Sequence, residues 1–316
     1  MPDFVFMQSL KYLEELISAF SLCAVSCVPT VKAALSIGAV DIPKDARRMH
    51  VRPVPRAGGI ALFFSFCICS CAFVGAFSPA GAALLSGGAL LCALGLSDDV
   101  FSLSARTKLL AQLIICSLPL FFGIRIGELS FFSYSIPLSP TLSLAFSLLW
   151  CIATTNAFNF IDGLDGLCAG VSIIISLSLA LRAHLFGEGE TSLFCFALGG
   201  ALLGFLPHNA HPAKTFMGDC GSLFVGYSLS LLSLLCTKTA KGTLSVSPLA
   251  LLFIFAYPVF DLVCAVFRRL LQGKSIFCAD RGHVHHKLCD KGYTHRQSVA
   301  LLCAVSAFFC LLSFLF

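Results

Sequence analysis

Apolar blocks of about 17 to 23 residues alternate with short polar connections along this chain, and blocks of that length cross a bilayer as α-helices. They run over 13–36, 58–77, 79–97, 105–123, 138–155, 167–184, 191–207, 221–237, 246–267 and 298–316. This pattern predicts an all-α integral membrane protein with about ten transmembrane helices. Residues 124–137 alternate between apolar and polar positions and predict a short hairpin on the outer face instead. The run Gly187-Glu188-Gly189-Glu190 predicts a tight connection between two spans. Because the blocks follow one another closely, a single polytopic domain over 1–316 is expected rather than separate soluble domains.

Composition agrees with that pattern, with 58% hydrophobic and 12% charged residues. The first block starts near Tyr12 amid Asp3, Glu14 and Glu15 with Lys11 as the lone lysine, unlike a basic leader, and reads as a first helix. The 17 cysteines sit mostly inside apolar blocks, for example Cys67, Cys69, Cys71, Cys92 and Cys116. They read as small buried side chains rather than a disulfide framework.

Where the charges lie matters more than their net value of +5. An even number of spans places both termini on one side and divides the loops into two sets. One set holds Lys44 to Arg56, Arg106, Lys108, Lys214 and the basic residues from Arg268 to Arg296. The other holds only Lys11, Arg125, Arg182, Lys238 and Lys241. The basic set is therefore expected to face the cytoplasm. The same set carries Asp98, Asp99, Asp162, Asp165, Asp219 and the histidines from His283 to His286, so the polar chemistry gathers on one membrane face. No nucleic-acid partner is expected.

Five stretches carry candidate chemistry. Asn156, Asn159, Asp162 and Asp165 recur at three-residue steps after an apolar run, which points to a phosphate or metal site at the membrane edge. In the first cytoplasmic loop, Pro53, Pro55, Gly58 and Gly59 hold Arg52 and Arg56 in a shape suited to an anion; charge alone would also read as simple membrane anchoring. Adjacent Asp98 and Asp99 repel unless a cation or shared proton compensates, and magnesium prefers such oxygen ligands; a solvated helix-end pair is the plain alternative. Asp219, between Gly218 and Gly221 at a helix start, is a candidate metal ligand or a plain N-cap, with Phe216 as a flat surface for a base. Cys278, His283, His285, His286 and Cys289 have the elements of a zinc site. The surrounding aspartates and basic residues favour instead imidazoles and Arg281 bonding a diphosphate. Asp261, inside a span, marks a pathway or a paired site, with Arg268 and Arg269 as nearby basic partners.

Taken in order, these pieces are Pro53-Val54-Pro55-Arg56-Ala57-Gly58-Gly59, then Asp98-Asp99 with Lys108-Leu109-Leu110-Ala111-Gln112. Next come Asn156-x-x-Asn159-x-x-Asp162-Gly163-Leu164-Asp165-Gly166, then Met217-Gly218-Asp219-x-Gly221-Ser222, then His283-x-His285-His286. That series resembles the polyprenyl-phosphate N-acetylhexosamine-1-phosphate transferase superfamily, glycosyltransferase family 4, from about Asp41 to Val299. The last loop is similar to the branch that transfers N-acetylglucosamine 1-phosphate to undecaprenyl phosphate for cell-envelope polymers. The branch that transfers phospho-N-acetylmuramoyl-pentapeptide is the alternative, but Val284 interrupts its usual run of three histidines. The resemblance implies that Asp219 binds Mg2+, with Mn2+ able to substitute, and that Asp98 and Asp99 form the essential pair near the lipid phosphate. Lys108 is implied to bind phosphate. Asn209, Asp165 and Phe216 would hold uridine, with Asn156, Asn159 and Asp162 lining the same cleft. His283, His285 and His286 would receive the sugar phosphate, with Arg281 nearby.

The implied reaction takes a UDP-N-acetylhexosamine and undecaprenyl phosphate at the cytoplasmic face of a bacterial inner membrane and releases UMP. Both substrates are anions, so charge neutralisation and alignment matter more than covalent help, and direct attack by the lipid phosphate is the expected route. A homodimer is compatible with this reading. An ion-coupled transporter is the competing class, but no internal repeat is evident and only Asp261 lies below the surface, whereas transporters place binding groups near the midplane.

Overall fold

The computed structural model describes residues 2–41, 53–74, 78–132, 134–236, 244–275 and 282–316. Each expected apolar block falls on helix: α1 (Pro2–Ile37), α2 (Gly58–Phe73), α3 (Pro79–Phe101), α4 (Ala105–Phe121), α5 (Pro140–Ile161) and α6 (Leu167–Leu185). They are followed by α7 (Gly189–Asn209), α8 (Gly218–Leu235), the pair α9 (Pro248–Ile254) and α10 (Ala256–Leu271), the short α11 (Val284–Asp290) and α12 (His295–Leu312). Seven of these helices are long and apolar enough to cross a membrane, or eight spans if α9 and α10 count as one. Helix α2 is apolar but has 16 residues, and α4 has 17 and carries Arg106 and Lys108 in its first turn. The chain is an all-α, multi-pass membrane protein.

Local chemistry sets where the helices begin. Ser78, Ser139 and Ser247 each accept a hydrogen bond from the backbone amide three residues on, and each is followed by proline at the first helical position. Ser104 caps α4 in the same way, and Thr294 with Gln297 forms a reciprocal capping box on α12. Within the spans, hydroxyls that lipid cannot solvate return to their own helix. Ser65 donates to the Ala61 carbonyl at 2.7 Å, Ser147 to Ser143 at 2.7 Å and Ser306 to Leu302 at 2.9 Å. The described cysteines are all free thiols, and most are buried, as expected of small packing residues.

Two features depart from the sequence expectation. The span over 246–267 is not continuous: α9 and α10 meet at Phe255 with an 89° bend. Pro258, in the first turn of α10, has no N–H to give and its ring crowds the preceding turn, so the helix cannot run through. The hairpin is present as β3 (Ile126–Phe131) and β4 (Tyr134–Pro137), but a further strand joins it. That strand, β5 (Leu244–Val246), runs parallel to β3 from the connection between α8 and α9. A second, two-residue pairing joins β1 (Val40–Asp41) to β2 (Val54–Pro55) at the other face of the bundle, closing the base of the first polar loop.

Helix α8 is the centre of the bundle, and of its residues only Asp219 keeps partial exposure. Its N-terminus can sit tightly against α3 because α3 has glycine at position 95. A Cβ there would run into the backbone of Asp219 and Cys220. Gly95→Val should therefore push α3 off α8, costing about 1–3 kcal/mol. The expected result is a lower melting temperature in detergent and loss of activity, whereas valine at the exposed Leu90 should leave the melting temperature unchanged.

Candidate active site

The site is built where α3, α4, α5 and α8 end together. Helix α3 runs on past the apolar block to Phe101, so Asp98 and Asp99 lie on its last turns rather than in a loop. Ser102 then takes a left-handed conformation (φ 54°), which turns the Leu103 amide back to donate to Asp98 Oδ1 at 2.7 Å. Asp98 Oδ2 accepts from Lys108 Nζ at 3.0 Å. The same ammonium donates to Asp219 Oδ2 in a short contact and to Asn159 Oδ1 at 3.4 Å. Asn159 Nδ2 in turn donates to Asp219 Oδ1 at 3.0 Å and to Ser222 Oγ at 2.9 Å.

Asp99 faces the other side of the α8 N-terminus. Its side chain is 1% exposed; it accepts from the Cys220 amide at 3.2 Å and pairs with Arg56 at 3.7 Å. Arg56 is shared with Asp41 at 3.0 Å, a partner that the sequence did not single out. The rigid strip that carries Arg56 is hydrogen-bonded directly to the segment before Asp219. The Phe216 amide donates to Pro55 O, Gly58 N to Phe216 O and Gly59 N to Met217 O, at 2.8, 3.0 and 3.0 Å. Gly218 completes the junction with φ +69°, a conformation that favours glycine.

Among the described residues, the carboxylates of Asp98, Asp99 and Asp219 gather around two cations, Lys108 and Arg56. Carboxylate oxygens are the donors that a divalent ion of the magnesium type takes, and Asp219, with Asp98 across the Lys108 ammonium, is the residue that could hold one, whereas Asp99 is turned to Arg56 and the Cys220 amide. Asp162, at the C-terminus of α5, is pushed up to about 8 by burial and by the charges of Asp219 and Asp99.

A second group sits beside the first. His283 lies 5.5 Å from the Phe160 ring, edge to face, and its own ring is parallel to that of His285 at 5.6 Å. His286 is 4.3 Å from His285. His285 packs over Gly163, where a Cβ would collide with its Nε2, and its buried Nδ1 has no hydrogen-bond partner. Burial, with His286 adding like charge, lowers the His285 imidazole to about 3, so it is neutral at physiological pH. Asp261 does not take Arg268 or Arg269 as the sequence led one to expect. Its carboxylate accepts from His283 Nδ1 at 2.7 Å and from the Val284 amide at 2.9 Å. The α9–α10 corner turns Asp261 toward the histidine loop, while Arg269 stacks on Phe160 at 5.3 Å.

Asp165 forms a third group, with two histidines that sequence reading passed over. His211 Nδ1 is 2.8 Å from Asp165 Oδ2, the Ala213 amide donates to the same oxygen at 3.2 Å, and His295 Nε2 is 3.3 Å from the Asp165 carbonyl. This trio is the one set of metal-type ligands that comes close together among the described residues. Its two imidazoles, however, stack at 4.3 Å and 20°, so their in-plane lone pairs lie side by side and do not converge on one ion. The trio rims a cavity of about 440 Å³ between α6, α7 and α12, floored by Leu206, Val299 and Cys303.

Of the remaining candidates, Asn209 is buried and uses its amide on backbone, accepting from Gly166 N and donating to Thr215 O, both at 3.0 Å. Phe216 is half-buried beside Asp219. Asn156 stands apart, donating to Gln112 Oε1 at 2.9 Å between α5 and α4. Arg52, Arg281 and Cys278 lie outside the described residues.

The sequence pattern of glycosyl transferase family 4 matches residues 82–237. The chain is 37% identical over 292 residues to a probable undecaprenyl-phosphate N-acetylglucosaminyl 1-phosphate transferase of Bacillus subtilis, covering 89% of this chain and 78% of the relative. It is 33% identical over 315 residues to a decaprenyl-phosphate N-acetylglucosaminephosphotransferase of Mycobacterium tuberculosis, covering 87% and 74%. It is 30% identical over 309 residues to the undecaprenyl-phosphate alpha-N-acetylglucosaminyl 1-phosphate transferase of Escherichia coli, covering 95% and 83%.

The two shifted groups outside the spans act oppositely on stability. Asp162 is raised from 3.8, so the folded chain binds the extra proton between the two values. Its contribution is present at low pH and lost as pH rises through about 8. His285 is lowered from 6.5, so its contribution is lost as pH falls from there toward about 3. In metal-free detergent solution, the melting temperature of the wild type should fall as pH rises from 6.5 to about 8, where the Asp162 loss is no longer offset by His285. Asp162→Asn should flatten that limb while leaving the acid limb in place; an alkaline limb unchanged in the variant would remove Asp162 as its source.

Proposed function

We propose that this chain, which belongs to glycosyl transferase family 4, transfers N-acetylglucosamine 1-phosphate from UDP-N-acetylglucosamine to undecaprenyl phosphate at the cytoplasmic face of a bacterial inner membrane. An oxygen of the lipid phosphate bonds to the phosphorus that bears the sugar, the bond from that phosphorus to the bridging diphosphate oxygen breaks, and UMP leaves. The lipid keeps the sugar on a new diphosphate. The names of the relatives support the acceptor and the transferred group, and the crowding of basic residues into one set of loops supports the orientation.

The observation that carries the reading is the Lys108 ammonium held between Asp98 and Asp219 where membrane helices end. A lipid phosphate anchored by its chain in the bilayer reaches this depth, and a water-soluble nucleotide sugar reaches it from the aqueous side. Lys108 and Arg56 bring positive charge to two anionic reactants. Asn159, itself held by Ser222, fixes the Asp219 carboxylate, so that charge is placed before the reactants arrive. Asp219, with Asp98 beside it, would hold Mg2+, which would supply charge neutralisation for the diphosphate. Asp98 already has one oxygen engaged by the Leu103 amide and the other by Lys108. It is therefore better suited to hold Lys108 in place than to attack phosphorus, which supports direct attack by the lipid.

Purified protein given undecaprenyl phosphate, Mg2+ and labelled UDP-N-acetylglucosamine should form labelled lipid and release UMP. Absence of turnover with every UDP-N-acetylhexosamine tried would overturn the reading. Asp219→Asn should lower turnover by on the order of 10²–10³ without unfolding the protein; near-normal turnover with unchanged Mg2+ dependence would take Asp219 out of the site.

A further inference from the structure

Asp261 and His283 form a buried carboxylate–imidazole pair. Asp261 is 1% exposed and His283 7%. Both oxygens of the carboxylate are used: Oδ2 accepts from His283 Nδ1 and Oδ1 from the Val284 amide, the first N–H of α11. One side chain on α10 thereby fixes an imidazole and the helix end that carries it. With Nδ1–H committed to Asp261, Nε2 is the nitrogen left for another partner. The ring is braced edge-on by Phe160, the residue next to Asn159, which holds Asp219.

We infer that Asp261 is a positioning residue for the transfer, holding His283 as its Nδ1–H tautomer so that Nε2 meets a phosphate oxygen of the sugar-phosphate donor. The inference rests on the proposed reaction. The carboxylate on Nδ1–H fixes both the tautomer and the orientation of the ring, so that Nε2 is the nitrogen presented to the phosphate. Among the described residues, the other charged or titratable groups near this ring are neutral His285 on α11, Arg269 across Phe160, and Arg268, whose guanidinium packs at Gly282. None of them replaces the carboxylate, because His285 is held away from protonation and Arg268 and Arg269 are cationic.

Asparagine at 261 offers one oxygen to two donors. Either the Val284 amide loses its acceptor, or the imidazole turns its bare nitrogen to the asparagine amide and carries its proton on Nε2. Asp261→Asn should lower kcat by about 10- to 100-fold with little change in KM for the UDP-sugar. Asp261→Asn added to His283→Gln should cost little more than His283→Gln alone. Nitrogen-15 spectra of labelled histidine, with His283 identified by its loss in His283→Gln, should show the Nδ1–H tautomer in the wild type and its loss in Asp261→Asn. A kcat for Asp261→Asn within about twofold of wild type overturns the inference. So does a loss additive with His283→Gln, which is what a purely structural anchor of α11 would produce. If the wild type transfers no sugar phosphate at all, the proposed reaction fails, while the tautomer comparison still decides whether Asp261 sets His283.

Discussion

One ammonium group, that of Lys108, is shared by carboxylates from two other helices and an amide from a third, and the arrangement of the site depends on that sharing. At the edge of a membrane, Asp98 and Asp219 are costly unless a cation lies between them, and Lys108 is equally costly without them. Removing one member of such a set leaves a buried charge uncompensated, at a typical cost of about 3–5 kcal/mol. The ends of α3, α4, α5 and α8 are thus held in register by the same groups that are proposed to act on phosphate. Stability and function draw on one network, which is a reason to separate the two experimentally for every residue in it.

Backbone joins what the sequence presents as separate motifs. The strip from Pro55 to Gly59 and the strip from Phe216 to Met217 are far apart along the chain, yet they exchange hydrogen bonds residue by residue. Arg56 and Asp219 therefore sit on two rails of one ladder, and neither can shift without breaking main-chain bonds. Close helix approach does the same for Asp99, whose carboxylate meets the Cys220 amide because α3 and α8 touch at Gly95.

Much of this was legible from residue order alone. The apolar blocks gave the spans because their length matches a bilayer, and the three-residue steps of Asn156, Asn159, Asp162 and Asp165 rightly marked a helix end. Only Asn159 of these four, however, reaches the Lys108 cluster through hydrogen bonds. Asn156 faces Gln112, and Asp165 turns to His211. Only Asn156 and Asn159 lie on α5, where a three-residue step turns them to different sides; Asp162 is its C-cap and Asp165 lies in the turn before α6, so the helical period no longer governs them. The break before α10 had a signal in Pro258, and three helix starts had one in Ser-Pro pairs. The partners His283 for Asp261 and β5 for β3 had none, since each joins segments brought together only by the packed bundle.

The enclosure of α8 has a consequence for how such chains are read. Of the seven clear spans, α8 is the least hydropathic and the most enclosed, whereas the terminal span that begins at His295 is the most hydropathic and largely uncovered. A helix bathed in lipid is selected for its solvent, and a helix walled in by protein is selected for fit, so glycine, serine and tyrosine are admitted to α8 where lipid would penalise them. At these two extremes oiliness follows the lipid boundary, and it is faintest over the helix that carries Asp219.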